Sequence, residues 1–276
     1  MNSSRTNRWI AYHRPSPNAK LRLFCFPYAG GGASVYKNWR NIMPQSIEVC
    51  PVQLPGREGR VSEPAFTRIT SLVEALSEEI LPLLDRPFAF FGHSLGGRIC
   101  FEVARHLQRN YDLTPAHLFV SACSAPHLPN TEKSLHDLPH DKLVEKLRLL
   151  NGTSGRILDH PRILRMLLPA IRADFEIYDT YKYSPGPLDN CPITVFGGDC
   201  DPVVGPDHLR AWRELAMSDF NLRLFPGDHF FVHTALSFVI RVVSETLQNI
   251  ADLEDSRAFF AHSLPVEQVV MDGELS

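Results

Sequence analysis

Residues 86–108 read RPFAFFGHSLGGRICFEVARHLQ, and no other stretch narrows the possible folds so far. The run 88–91 is wholly apolar. From Arg98 onward Ile99, Val103 and Leu107 recur with charged residues between them. This is the pattern of a buried strand, a sharp turn and an amphipathic helix. The five residues at the junction, Gly92, His93, Ser94, Leu95 and Gly96, fit GxSxG, in which the serine tops a strained strand-to-helix turn. The two glycines let strand and helix approach without a Cβ clash. Such a turn lifts the Ser94 hydroxyl clear of the sheet and sets it at a helix N-terminus, where free amides and the helix dipole favour developing negative charge. The same glycine-rich turn can also cradle a phosphate or simply pack tightly, so the residues downstream must decide.

Apolar β-type runs recur at 21–26, 47–52, 88–91, 117–122, 193–196 and 221–225, with helical patterns at 69–84, 97–110, 207–216 and 235–250. That alternation predicts an α/β fold with a mostly parallel central sheet flanked by helices. From 126 to 190 the rhythm breaks: two helical stretches, about 141–150 and 162–181, replace any strand. This interval reads as a helical lid insertion in a single domain spanning 1–250. In the second stretch Ile163, Met166, Leu167, Ile171, Phe175, Tyr178 and Tyr181 form an apolar stripe, with Pro169 as an expected kink. The stripe suits either a core-facing helix or a lid lining a substrate tunnel. Residues 251–276 carry six carboxylates against one arginine, an acidic tail expected to be partly disordered or weakly docked.

A serine nucleophile needs a base to take its proton and an acid to orient the base. In a fold of this kind they follow in the order Ser, Asp, His, in loops after late strands. The fifth apolar run ends in GGDCDPVV, with Asp199 and Asp201, and the sixth in PGDHFFVH, with His229. His229 follows the Pro226–Gly227 turn, from which an imidazole can reach across the strand ends, whereas His233 reads as the start or cap of the final helix. His93 is expected to pack away from the serine. Both aspartates stay open on position: Pro202 and two valines would pin the loop of Asp201, while Asp199 can close an Asx-turn on the glycines before it. An acyl-transfer oxyanion needs two backbone amides. Leu95, after the nucleophile, offers one, and Ala29 or Gly30 in FPYAGGGAS offers the other. No Lys-Ser or Lys-Thr follows those glycines, which argues against a P-loop.

Composition removes other classes. Net charge is −3, with no basic stripe of the kind nucleic-acid binders carry. The first twenty residues are polar, and no apolar run approaches the length of a membrane helix, so a cytoplasmic chain is expected. Six scattered cysteines without a CxxC pair suggest neither a disulfide framework nor a zinc site. HFFVH places His229 and His233 four apart, but Phe230 stands where HExxH requires glutamate. Lys37, Arg40, Arg57 and Arg60 cluster in the loops after the first two strands, and are expected to form a basic surface near Ser94.

The strings RLFCFPYAGGGAS, VQLPGREGR, FFGHSLGG, LLPAIRADF, ITVFGGDCDP and PGDHFF, in this order, resemble the type II thioesterases that accompany nonribosomal peptide and polyketide synthases, within the α/β-hydrolase superfamily. The resemblance covers residues 8–248. It implies that Asp201, the aspartate of the GGxDP motif, is the acid. It further implies a stand-alone, monomeric hydrolase, without metal or cofactor, that removes misprimed or stalled acyl groups from the phosphopantetheine arm of acyl or peptidyl carrier domains, its transient partners. NGTSGRIL departs from the family's usual lid segment, which bears on acyl preference. The rival readings are a medium-chain acyl-carrier thioesterase, a general ester hydrolase and a non-catalytic carrier-binding module.

Overall fold

Alternate residues of a strand face opposite sides of its sheet, and β1 (Leu21–Phe26) sorts its side chains accordingly. Phe24 and Phe26 enter one core layer, while Leu21, Leu23 and Cys25 enter the other. In β3 (Phe88–His93) Phe88 and Phe90 join the first layer, Ala89 and Phe91 the second. Strands apolar on both faces must be covered on both, as in this computed structural model, which describes residues 7–130, 134–150, 152, 158–186 and 188–263. With β2 (Ile47–Pro51), β4 (His117–Ser121), β5 (Ile193–Gly198) and β6 (Phe220–Phe225), all six expected strands form. They make one sheet in the order β2-β1-β3-β4-β5-β6, parallel at every pairing.

Helices α1 (Ile69–Ile80) and α2 (Leu95–Tyr111) supply the first layer through Leu72, Leu76, Ile99 and Val103. After β5 comes the short α5 (Pro206–Arg210), and the long α7 (Leu236–Ser263) supplies the second layer through Val239, Val243 and Leu247. It runs past Ile250, where the sequence pattern ends it, so the expected boundary of the acidic tail falls inside a helix. Residues 264–276 lie outside the described residues. The β2 edge is closed by an antiparallel bridge from Ile10 to Val52, which blunts an edge open to foreign strands.

Between β4 and β5 the chain forms α3 (His140–Leu150) and α4 (Pro161–Thr180), with no strand among the described residues of this interval. The two helices share a third apolar cluster, with Leu143 and Leu147 of α3 against Leu164, Leu168, Ile171 and Phe175 of α4. The buried face of α4 therefore differs from the expected stripe: Met166 is 50% exposed, and Ile163 and Leu167 are only half-buried. Small Ala170 and Ala173 and the carboxylate of Asp174 turn inward with Ile171, because this face must also meet the glycine loop after β1. The helix runs through Pro169. Most of NGTSGRIL lies outside the described residues.

The chain steps outward from β1 to β2, then crosses to the far side of β1 for β3. Connections leave in opposite directions there, which opens a crevice beyond the carboxyl ends of β1 and β3, the usual ligand position in such sheets. The loops after these two strands carry Ala29 and Ser94.

Candidate active site

Ser94 holds φ 53° and ψ −118°, a strained conformation for a residue with a side chain. Its two glycines are sterically required: a Cβ on Gly92 would lie 2.2 Å from the Gly96 carbonyl oxygen, and one on Gly96 would lie 2.2 Å from that of Phe26. The Ser94 amide donates to the Ser121 carbonyl at 2.7 Å, tying the turn to β4.

Loops after β5 and β6 bring the expected partners to this serine. Nε2 of His229 lies 3.1 Å from the Ser94 hydroxyl, and its Nδ1 lies 2.9 Å from Oδ2 of Asp201. The other oxygen of Asp201 accepts from the amides of Val203 at 2.7 Å and Val204 at 3.1 Å. The Asx-turn thus belongs to Asp201. Asp199 bonds instead across to the histidine loop, where its Oδ1 accepts from the Gly227 amide at 3.0 Å. That bond, with the Cys200 thiol, holds its carboxyl below the usual aspartate range. Two aspartates two residues apart therefore have different duties: one faces the imidazole, the other stitches two loops together.

His93 does more than pack. It is buried, its Nδ1 lies 2.8 Å from Oγ of Ser121, and its Nε2 donates to the main-chain carbonyl of His229 at 3.0 Å. Burial first, then the neighbouring His229 and His233, push its pKa well below the ordinary histidine value. The ring is neutral, its Nε2 proton committed to that carbonyl. His233 lies in the short α6 (Phe231–Thr234), 3.1 Å from the Tyr28 hydroxyl.

Leu95 is the first residue of α2, and both Leu95 and Ala29 line the chamber in front of Ser94. Gly30 is a correction to the sequence expectation: its amide donates to Oδ2 of Asp174 at 2.7 Å, so it is turned to the lid and the choice narrows to Ala29. The chamber is walled mainly by apolar side chains, among them Leu135, Leu147 and Phe175 from the lid and Val203 and Val204 from the acid loop. It suits an acyl chain placed beside a polar reacting centre.

The expected basic surface does not exist as such. Arg57 and Arg60 are buried. Arg57 pairs with Asp174 at 2.6 Å, and Arg60 pairs with Glu63 at 2.7 Å while its guanidinium stacks over Trp9. Arg40 donates to the Tyr12 carbonyl, leaving Lys37 as the exposed member. Buried arginines require partners: that of Arg60 is three residues on, whereas that of Arg57 lies 117 residues away. Asp174 was missed in the same way, although its spacing from Ala170 and Ile171 places a carboxylate on the inward face of a helix, itself a signal. Among the described residues, His13, Glu48 and Cys50 bring metal-type ligand atoms within 4.8 Å of one another, at the opposite end of the strands from Ser94. The Arg22 guanidinium bonds Glu48 at 2.8 Å there, a cation already in the place of a metal.

Residues 21–247 match the thioesterase domain family. The chain belongs to this family. Thioesterase relatives cover nearly its whole length. The gramicidin S biosynthesis protein GrsT of Aneurinibacillus migulanus is 42% identical over 245 residues, 89% of this chain and 96% of that protein. Thioesterase PikA5 of Streptomyces venezuelae is 33% identical over 250 residues, 90% of this chain and 89% of its own. Among solved structures, the type II thioesterase BorB from the borrelidin biosynthetic cluster superposes with a TM-score of 0.79 at 36% identity, covering 86% of this chain and 96% of BorB. This thioesterase is therefore a thioester hydrolase with the α/β-hydrolase fold. Among its described residues no helix is long and apolar enough to cross a membrane.

Proposed function

We propose that this thioesterase is a stand-alone editing enzyme that clears misprimed or stalled acyl groups from the phosphopantetheine arm of carrier domains in a nonribosomal peptide or polyketide synthase. The observation that carries the reading is the continuous Asp201–His229–Ser94 relay, with steps of 2.9 and 3.1 Å, opening on an apolar chamber. Relatives named for gramicidin S and borrelidin biosynthesis point to the synthase setting.

In this reading Ser94 Oγ attacks the thioester carbonyl while His229 Nε2 takes its proton, and Asp201 holds the imidazole through Nδ1–H and stabilises the imidazolium. The amides of Leu95 and Ala29 receive the oxyanion. Collapse of the tetrahedral intermediate breaks the C–S bond, and His229 returns its proton to the departing pantetheine sulfur. Water, deprotonated by His229, then attacks the acyl-serine ester, releasing the acid and restoring Ser94. The protein side chains supply every proton transfer, so no cofactor is required. Six unpaired cysteines, five of them buried, suit a reducing, cytoplasmic compartment.

The test compares one acyl group on a carrier protein and on free pantetheine. The expected result is a higher kcat/KM on the carrier, from contacts beyond the arm, and release of several short acyl groups at similar rates. Equal efficiency on both substrates would overturn the carrier reading. A sharp optimum at medium chain length would favour a fatty-acid-type thioesterase.

A further inference from the structure

Asp174 stands on the inward face of α4, 1% exposed, with both carboxylate oxygens engaged. Oδ2 accepts from Arg57 Nη1 at 2.6 Å and from the Gly30 amide at 2.7 Å, and Oδ1 accepts from Arg57 Nη2 at 2.8 Å. Arg57, 3% exposed, also donates to the carbonyls of Gly31 at 3.3 Å and Pro55 at 3.2 Å. A helix of the lid thus grips the loop after β1 at Gly30 directly and at Gly31 through Arg57. A buried ion pair is a poor device for stability alone, because desolvating both charges consumes most of their attraction.

What this grip fixes is the peptide geometry around Ala29. The Gly31 amide donates to the Tyr28 carbonyl at 2.9 Å, which orients the Tyr28–Ala29 peptide. In a trans peptide the N–H points opposite to the carbonyl, so the Ala29 N–H faces away from Gly31. The next peptide, Ala29–Gly30, has its N–H held by Asp174, and Gly30 sits at φ 76°, which glycine adopts at little cost. One flanking peptide of Ala29 is fixed within the loop, the other by the lid.

We infer that Asp174 is a positioning residue for oxyanion stabilisation: helix α4, through Asp174 and its partner Arg57, sets the direction of the Ala29 donor. This rests on the reading above of Ser94 as nucleophile and Ala29 as donor. Asp174 touches no reacting atom. It acts through the Gly30 amide.

A pair of ketone analogues of an acyl-pantetheine thioester separates the two readings. With the trifluoromethyl ketone, Ser94 Oγ adds to the carbonyl carbon, the π electrons become an oxyanion and the proton passes to His229. The methyl ketone binds largely without addition. For wild type the trifluoromethyl ketone is expected to bind far more tightly, and Ser94→Ala is expected to erase that preference. If the preference survives in Ser94→Ala, the nucleophile assignment fails and this inference falls with it. Asp174→Asn keeps the shape but weakens the acceptor and leaves Arg57 without its counter-charge. It is expected to lower kcat at least ~10-fold, toward the ~10²–10³ lost when an oxyanion donor is removed, with KM within about twofold. The analogue preference is expected to fall in parallel. A preference that depends on Ser94 yet is unchanged in Asp174→Asn would overturn the inference alone. Should Asp174→Asn not fold, the double variant Arg57→Met with Asp174→Leu removes both charges, a replacement that buried pairs often tolerate. It must show the same selective loss, and an unchanged preference there is equally fatal.

Discussion

Nε2 of His93 donates to the main-chain carbonyl of His229 at 3.0 Å across 136 residues of sequence, so the residue preceding the serine supports the residue facing it. Because the His93 ring is neutral and buried, the bond is steady over the working pH range. It fixes the backbone from which the second imidazole projects. Displacements of an ångström in such a group cost about 10²-fold in rate. His93→Leu, which removes the donor, is expected to lower kcat at least ~10-fold with little change in KM. His93→Gln, whose amide nitrogen can occupy the Nε2 position, is expected to recover most of it. Steady-state kinetics on both variants check this, and equal losses in the two would assign His93 to packing.

Ser94→Ala is expected to abolish thioester cleavage and labelling by a fluorophosphonate. Its circular dichroism and melting temperature should stay close to wild type, since the hydroxyl contributes a single bond to His229 and relieves none of the backbone strain. Turnover near the wild-type rate in this variant would remove Ser94 as the nucleophile.

The two aspartates separate on the same assay. Loss of the carboxylate that orients the imidazole costs about 10⁴ in the serine-protease template, and a loss of that order is expected for Asp201→Asn. Asp199→Asn keeps an acceptor for the Gly227 amide and is expected to cost less than about tenfold, most of it through loosening of the histidine loop. The reverse ranking would exchange their roles.

Much of this was legible in sequence because it is local. Short continuous apolar runs bounded by turn residues mark strands buried on both faces, and GxSxG encodes its own turn. The order Ser, Asp, His follows from loop positions at one end of a parallel sheet. What was not legible is pairing at long range. Arg57 and Arg60 read as surface because arginine usually is surface, and the carboxylate that buries Arg57 lies 117 residues away. The same separation hid the commitment of the Gly30 amide. Met166 looked inward by hydrophobicity, but the register of α4 is set by Asp174 and its small neighbours against the glycine loop.

Stability should fall as the solution is acidified below the ordinary histidine pKa. His93 is held well below that value, chiefly by burial, and burial brings His117 down to about 4. Above pH ~6.5 neither folded nor unfolded chain protonates these rings. Below it the unfolded chain binds protons that the folded chain refuses, so each ring costs about 1.4 kcal/mol per pH unit. For His117 the loss ends near 4, where the folded ring protonates too. Carboxylates held low, such as Glu48 at about 2, begin to contribute only below their unfolded value of 4.5, so pH 6.5 to 5 isolates the histidines. Urea titrations at pH 7.5 and 5.5 should show the drop, and His117→Gln should make it shallower. A flat wild-type profile would mean that these rings are protonated in the folded protein.

The lid is expected to open at α3 and to stay shut at the second half of α4. That half is anchored to the body of the domain by the buried Asp174–Arg57 pair, by Arg98 over the rings of Tyr178 and Tyr181 and by the Tyr181 hydroxyl to Glu102 at 2.7 Å. By contrast α3 is held mainly by Leu143 and Leu147 in the lid's own small cluster, and its charged link to the rest of the lid, Arg148 to Asp159, lies on the exposed surface. Exposed pairs add little, and segments with few buried contacts open at the lowest free energy. A carrier-borne arm must be admitted and then shielded from water, which asks one wall of the chamber to move while the oxyanion loop stays in place. Hydrogen exchange should therefore be fast across α3 and as slow across 170–180 as in the central strands. Labelling Ser94 with an acyl-like fluorophosphonate should slow α3 and leave 170–180 unchanged. Exchange at one common rate along both helices would show that the lid moves as a unit, and the anchoring contacts would then carry no mechanical meaning.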